Sequence, residues 1–204
     1  MRIKSHWYQS GREKSPQQIA DALAFVIWRI GDNALKTTRQ ANFEIAVGSQ
    51  YFFFLSEFLP FLILVADRIA YRQFPEQDRA SFTTTLANRV AETYAENKSR
   101  LLGGDLADCK QQFIDQINLR SGEYAEFGYA DSGPDYAFMR YLAFLIEQGM
   151  DEQDRFWVVD QIISIEAPAA VKRIEKTMRD LTSTEPRAQR PVRPKRAAAI
   201  ADPA

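Results

Sequence analysis

Apolar residues recur at steps of three and four through most of this chain, the spacing that gathers them on one face of a helix. The first series runs Ile19, Leu23, Val26, Ile27, Ile30, Ala34, Ala41 and Ile45, with Thr38 in one apolar slot, and predicts one long helix over 16–46. Its start is well marked. Ser15 can accept from an orphan backbone N–H, Pro16 suits the first helical position, and Gln18 stands at capping-box distance. Gly31 and Asn33 are the weak points where such a helix kinks or splits.

After Gly48-Ser49 the pattern changes. Residues 51–66 read YFFFLSEFLPFLILVA. Tyr51, Leu55, Phe58, Leu62, Val65 and Ile69 make one apolar face, while Phe54 and Phe61 begin another. A helix over 50–72 that is apolar nearly all round is expected at the centre of a bundle, or against a second partner. A membrane span is the competing reading. Spanning needs ~20 mainly apolar residues, and this shorter run is interrupted by Ser56, Glu57 and Pro60, so no span is expected.

Pro75 restarts the chain with acidic residues, followed by Phe82, Leu86, Val90 and Tyr94 at steps of four. Gly103-Gly104 is a stop, and Asp105 is placed to cap a helix carrying Leu106, Cys109, Phe113 and Ile117. The glycine-rich segment 121–133, SGEYAEFGYADSG, reads as a loop. Pro134 is expected to open a helix through Phe138, Tyr141, Leu142, Leu145 and Ile146 that stops at Gly149. Asp151 then serves as N-cap for a helix with Trp157, Val158, Gln161, Ile162 and Ile165. Pro168 should end or kink it before Val171, Ile174, Met178 and Leu181 continue a second face. No run of alternating residues makes a convincing strand.

The expected fold is therefore all-α: a single helical bundle of about five to seven helices with a central apolar helix. Its body is 15–181, preceded by a basic, mobile extension over 1–14 and followed by a disordered Pro/Arg-rich tail over 182–204. Composition sharpens this division. The formal charge of −1 hides +3 on residues 1–14 and +3 on 182–204, which leaves 17 basic against 24 acidic residues between them. An acidic body with basic ends is not a general polyanion binder. Nucleic acid is expected at most as a weak contact of the tail, through Arg190, Arg193, Lys195 and Arg196. The tail also carries a short PxxP-like stretch, RPVRPKR.

A single cysteine excludes an internal disulfide and suits the cytoplasm. One histidine excludes a His-His pair, and no metal site or cofactor is expected. There is no phosphate loop and no Gly-x-Ser-x-Gly elbow. No catalytic residue can be named from the sequence, and an enzyme is the less favoured reading, resting on carboxylate or tyrosine chemistry. Glu57 is the buried-acid candidate. It either reaches a basic partner such as Arg29 or Arg39, faces solvent on the narrow polar side, or stands as an acid in a pocket.

Tyr124, Phe127 and Tyr129 in the 121–133 loop can anchor a partner, or fold back onto the core as plugs. With Phe54 and Phe61 they form the candidate binding set. The sequence thus favours a non-catalytic interaction, regulatory or assembly protein, homodimeric or holding a protein partner. The alternative is a bundle that binds an apolar small molecule.

Overall fold

Ser15 begins the first helix with both halves of a capping box. Its hydroxyl accepts from the Gln18 N–H at 3.3 Å, and Gln18 Oε1 accepts from the Ser15 N–H at 3.1 Å. The computed structural model describes residues 14–41, 43, 45–46 and 48–183. Helix α1 runs Pro16–Gln40, shorter than the 16–46 its spacing predicts. Its end is tightened, because the Ala41 N–H is shared between the Thr37 and Thr38 carbonyls. Arg39 folds over that end and donates twice to the Ile45 carbonyl, at 2.9 and 2.6 Å. Ile45 is still buried, but from an irregular segment.

Gly31 does not break α1. It lies where α1 meets the second helix, and an added Cβ would fall 2.8 Å from Leu59 Cδ2. The residue that reads as a weak point is a place of close helix contact.

Helix α2, Ser49–Gln73, is the bundle's centre. It packs against α1, α3 (Glu76–Leu102), α4 (Leu106–Tyr124), α5 (Tyr136–Glu147) and α7 (Ala167–Thr182). Five neighbours explain why it is apolar nearly all round, and Phe54, Phe58 and Phe61 are fully buried by this chain alone. Burying each such ring removes roughly 150–250 Å² from water. Among the described residues no helix is long and apolar enough to cross a membrane.

Two boundaries differ from the sequence reading. The glycine-rich segment is not a loop throughout, since α4 continues to Tyr124. Its remainder closes into a small antiparallel hairpin, β1 Tyr129–Ala130 against β2 Gly133–Pro134, with Gly133 at φ +103°. Asp135, not Pro134, then opens α5. One of its oxygens accepts from the Phe138 N–H at 2.8 Å and the other from the Gly128 N–H at 2.9 Å. One carboxylate therefore caps the helix and closes the hairpin's approach.

Helix α6, Glu152–Gln161, does not end before Pro168. It passes into a π-helical turn, Ile162–Glu166, and directly on into α7. Within the turn the Ala167 N–H reaches back to the Ile162 carbonyl. Widening the ladder just before a residue with no N–H lets the chain absorb Pro168 without stopping. The core is one continuous cluster across all these helices. Residues 1–13 of the N-terminal extension and most of the 182–204 tail, including Arg190, Arg193, Lys195 and Arg196, lie outside the described residues.

Candidate functional site

Glu57 projects from α2 into a buried polar cluster. It is 3% exposed. Arg120 of α4 meets it side-on, with Nε donating to Oε2 at 2.6 Å and Nη2 to Oε1 at 2.8 Å. Gln116, one turn earlier on α4, donates to Oε1 at 2.8 Å. The remaining guanidinium nitrogen of Arg120 bonds Glu123. The partner is therefore neither Arg29 nor Arg39, and both carboxylate oxygens are engaged. Hydrogen bonds to the Glu57 carboxylate hold the Arg120 guanidinium above its ordinary range, with those to Glu123 adding to the effect. The arrangement is that of a satisfied structural ion pair. An acid free to exchange protons with a substrate would not be tied on both oxygens.

The candidate loop aromatics surround this cluster from the other side. Tyr124 is fully buried against Phe61, Phe127, Phe138 and Tyr141, with ring centroids 4.5–6.2 Å apart. Phe127 and Tyr129 are half-buried and pack on the same core. Arg72, near the end of α2, lies over the Tyr129 ring, donates to its carbonyl at 2.7 Å and pairs with Asp131. The segment is thus held on the bundle as a plug. Burial pushes the Tyr124 phenol well above its usual range and that of Tyr129 to about 12.

Phe54 and Phe61 offer no surface. The apolar excess of α2, the basis for expecting dimerisation, is covered at both rings by α2's own neighbours. Of the sequence-derived candidates, Glu57, Tyr124 and Phe61 gather in one region, and it is interior.

Among the described residues, the most exposed large apolar side chain, Phe156, is on α6. That helix buries only Val158. Phe156 and Trp157 stand outward, 77% and 64% exposed, edge to face with centroids 5.8 Å apart. Around them are Glu152 and Asp160, both exposed, and the N-cap Asp151, which accepts from Gln50 Nε2 at 3.2 Å. The sequence places Trp157 and Ile165 on the inward face of this segment, whereas Val158 and Ile162 take that role and Ile165 is also exposed. Two shallow concavities adjoin the start of α6. One of about 470 Å³ is lined by the polar side chains of Asp151, Glu152 and Gln153. One of about 340 Å³ is lined by Arg39, Gln50 and Asp151 together with Phe43, Ile45 and Ala46. Both open to solvent. Cys109 is buried. Among the described residues, no group of three or more histidine, cysteine or acidic side chains converges to hold a metal ion.

Comparison with known proteins finds no matching family model, no matching curated protein and no matching solved structure.

Proposed function

We propose that this chain is a non-catalytic assembly protein that holds a protein partner through the outward surface of α6. The observation that carries the reading is the exposed Phe156–Trp157 pair on a helix that buries one residue of its own. Large aromatics anchor interfaces because they bring much apolar area at little entropic cost, and here acidic residues flank them as a polar rim. The body 15–181 acts as the rigid support, with the two basic ends as separate extensions. A cytoplasmic setting fits the lone cysteine. The apolar-ligand alternative draws no support from the two open concavities. The carboxylate-enzyme alternative loses its leading acid, since Arg120 and Gln116 occupy Glu57.

A photo-crosslinking residue in place of Phe156 tests the reading in the full chain, with the equally outward Phe25 of α1 as the control position. A discrete protein adduct is expected at 156, absent at 25, and lost when Trp157→Ser is added. No adduct at 156, or the same adducts at both positions, overturns the proposal.

A further inference from the structure

The run from Glu152 to Thr182 is helical without interruption. At about 1.5 Å per residue it is roughly 45 Å long. Its outward side divides into two chemical halves. The first half carries Glu152, Phe156, Trp157 and Asp160, all exposed, with Arg155 as its exposed cation. The second half carries Lys172, Arg173, Lys176 and Arg179, also exposed, against the exposed Asp180.

Arg72, Arg79, Arg89, Lys110 and Arg120 are all in ion pairs with carboxylates of this chain. The four cations of α7 have no ion pair among the described residues, although acidic residues outnumber basic ones over 15–181. Cations without an ion pair also occur elsewhere among the described residues, at Arg29, Arg39, Arg68, Lys98, Arg100, Arg140 and Arg155, but no other helix gathers more than two of them. An unpaired basic stripe and an acidic-aromatic stripe on one helical run are complementary surfaces on the same molecule.

We infer that the partner held by α6 is a second copy of this chain, docked antiparallel so that the acidic-aromatic α6 of each protomer lies on the basic α7 of its partner. The inference rests on the reading of α6 as the assembly surface. A two-fold axis satisfies both contacts at once, because an isologous interface repeats every pairing. Setting Asp151 opposite Arg179 also brings Asp160 near Lys172, and places the axis beside the exposed Ile165. Phe156 and Trp157 then face the Lys172–Lys176 stretch, where aromatic faces attract cations. The competing arrangement, α6 on α6, sets Glu152 and Asp160 against their own kind and is disfavoured by like-charge repulsion. A parallel pairing has the same defect in both halves. Charge therefore selects both the partner and its direction.

The test is a charge swap in the full chain, read by sedimentation velocity, with circular dichroism confirming that each variant keeps its helix content. The wild-type protein is expected to dimerise at low salt and to weaken at about 1 M salt, where the screening length falls to ~3 Å. Lys172→Glu with Lys176→Glu and Arg179→Glu should weaken the dimer on the order of 100-fold, and Glu152→Lys with Asp160→Lys should do likewise. Mixing the two variants restores opposite charges at both contacts, so a mixed dimer should form where neither variant dimerises alone. A wild-type chain that is monomeric at low salt, a dimer indifferent to both reversals, or a mixture that stays monomeric overturns the inference. A monomeric wild type that still gives an adduct at position 156 to a different protein would overturn the second-copy partner and leave the assembly surface standing. The absence of any adduct would remove both.

Discussion

The Arg120 guanidinium lies side-on against the Glu57 carboxylate, Nε to Oε2 at 2.6 Å and Nη2 to Oε1 at 2.8 Å, and ties the centre of α2 to the middle of α4. Both side chains are nearly excluded from solvent, at 11% and 4% exposure. An isolated charge at this depth is costly, so the two groups depend on each other. Arg120→Met leaves the Glu57 carboxylate with only Gln116 and should destabilise the chain by ~3–5 kcal/mol in urea unfolding. Adding Glu57→Leu removes the stranded charge, and the double variant is expected to recover much of that loss. A double variant worse than Arg120→Met would show that the pair contributes stability beyond mutual compensation.

The contrast between this pair and the helix starts shows what the chain discloses in one dimension. The capping box at Ser15 and Gln18 and the cap at Asp105 are complete within three residues, so both can be read directly. The apolar girth of α2 is equally local, and its central place follows from it. Arg120 is 63 positions from Glu57, and their meeting depends on how α2 and α4 cross and in what register. Nothing in the spacing of either helix supplies that. The exposure of Trp157 is hidden for a related reason. Positions 157, 158, 161, 162 and 165 fit one helical face, but the inward face is centred on Val158 and Ile162, with Val159 and Ile163 packed beside them in place of Trp157. An exposed tryptophan thus passes, in sequence, for core.

Gly149 allows the turn between α5 and α6 to lie against α2. A Cβ there would stand 2.0 Å from Phe53 Cδ1 and 2.1 Å from Cε1, well inside contact distance. Gly149→Ala therefore forces the ring or the turn to move, and a loss of ~1–3 kcal/mol is expected in thermal or denaturant unfolding. Phe53→Ala carries its own cost but removes the obstacle. In the double variant the alanine at 149 should have little further effect. If Gly149→Ala costs the same with and without the Phe53 ring, the clash is not its cause.

Glu166, in the π-helical turn, is buried and has Gln161 Nε2 as its hydrogen-bond donor at 2.9 Å. Burial raises its carboxyl above the ordinary value of 4.5, with the Gln161 bond opposing the rise. The folded state thus holds this proton more tightly than the unfolded chain does. Its contribution to stability is fully present below pH 4.5 and is lost as pH rises through the raised folded value. Glu166→Gln keeps the shape without the charge. It should be more stable than the parent at neutral pH, and the gain should shrink as the pH is lowered toward 4. Unfolding by urea at a series of pH values measures this, and a gain that grows on acidification would contradict the assignment.

Five tyrosines set the alkaline limit of the fold, Tyr141 among them, its phenol also raised by burial. Burial pushes Tyr94 and Tyr124 well above the usual phenol value of 10.0, and it pushes Tyr51 and Tyr129 up to about 12. Asp32 adds to the rise at Tyr51, whose hydroxyl lies 3.4 Å from its Oδ1. In each case the native state retains the proton and the unfolded chain releases it near pH 10. The linked stability is therefore intact below pH 10 and falls as pH rises above it. Unfolding should become easier from pH 10 upward, well before the native tyrosines ionise, and ultraviolet absorbance should report phenolate forming together with loss of helix. Tyr124 isolates one part of this, because its buried hydroxyl has no hydrogen-bond partner among the described residues. Tyr124→Phe keeps the ring packed between Phe61 and Phe138 and removes a polar group buried without compensation. Its stability at pH 7 is expected to equal or exceed the parent's by up to about 1 kcal/mol. Its loss above pH 10 should be shallower, since one fewer proton is released on unfolding. An alkaline loss as steep as the parent's, or steeper, in Tyr124→Phe would mean that Tyr124 does not carry the dependence assigned to it.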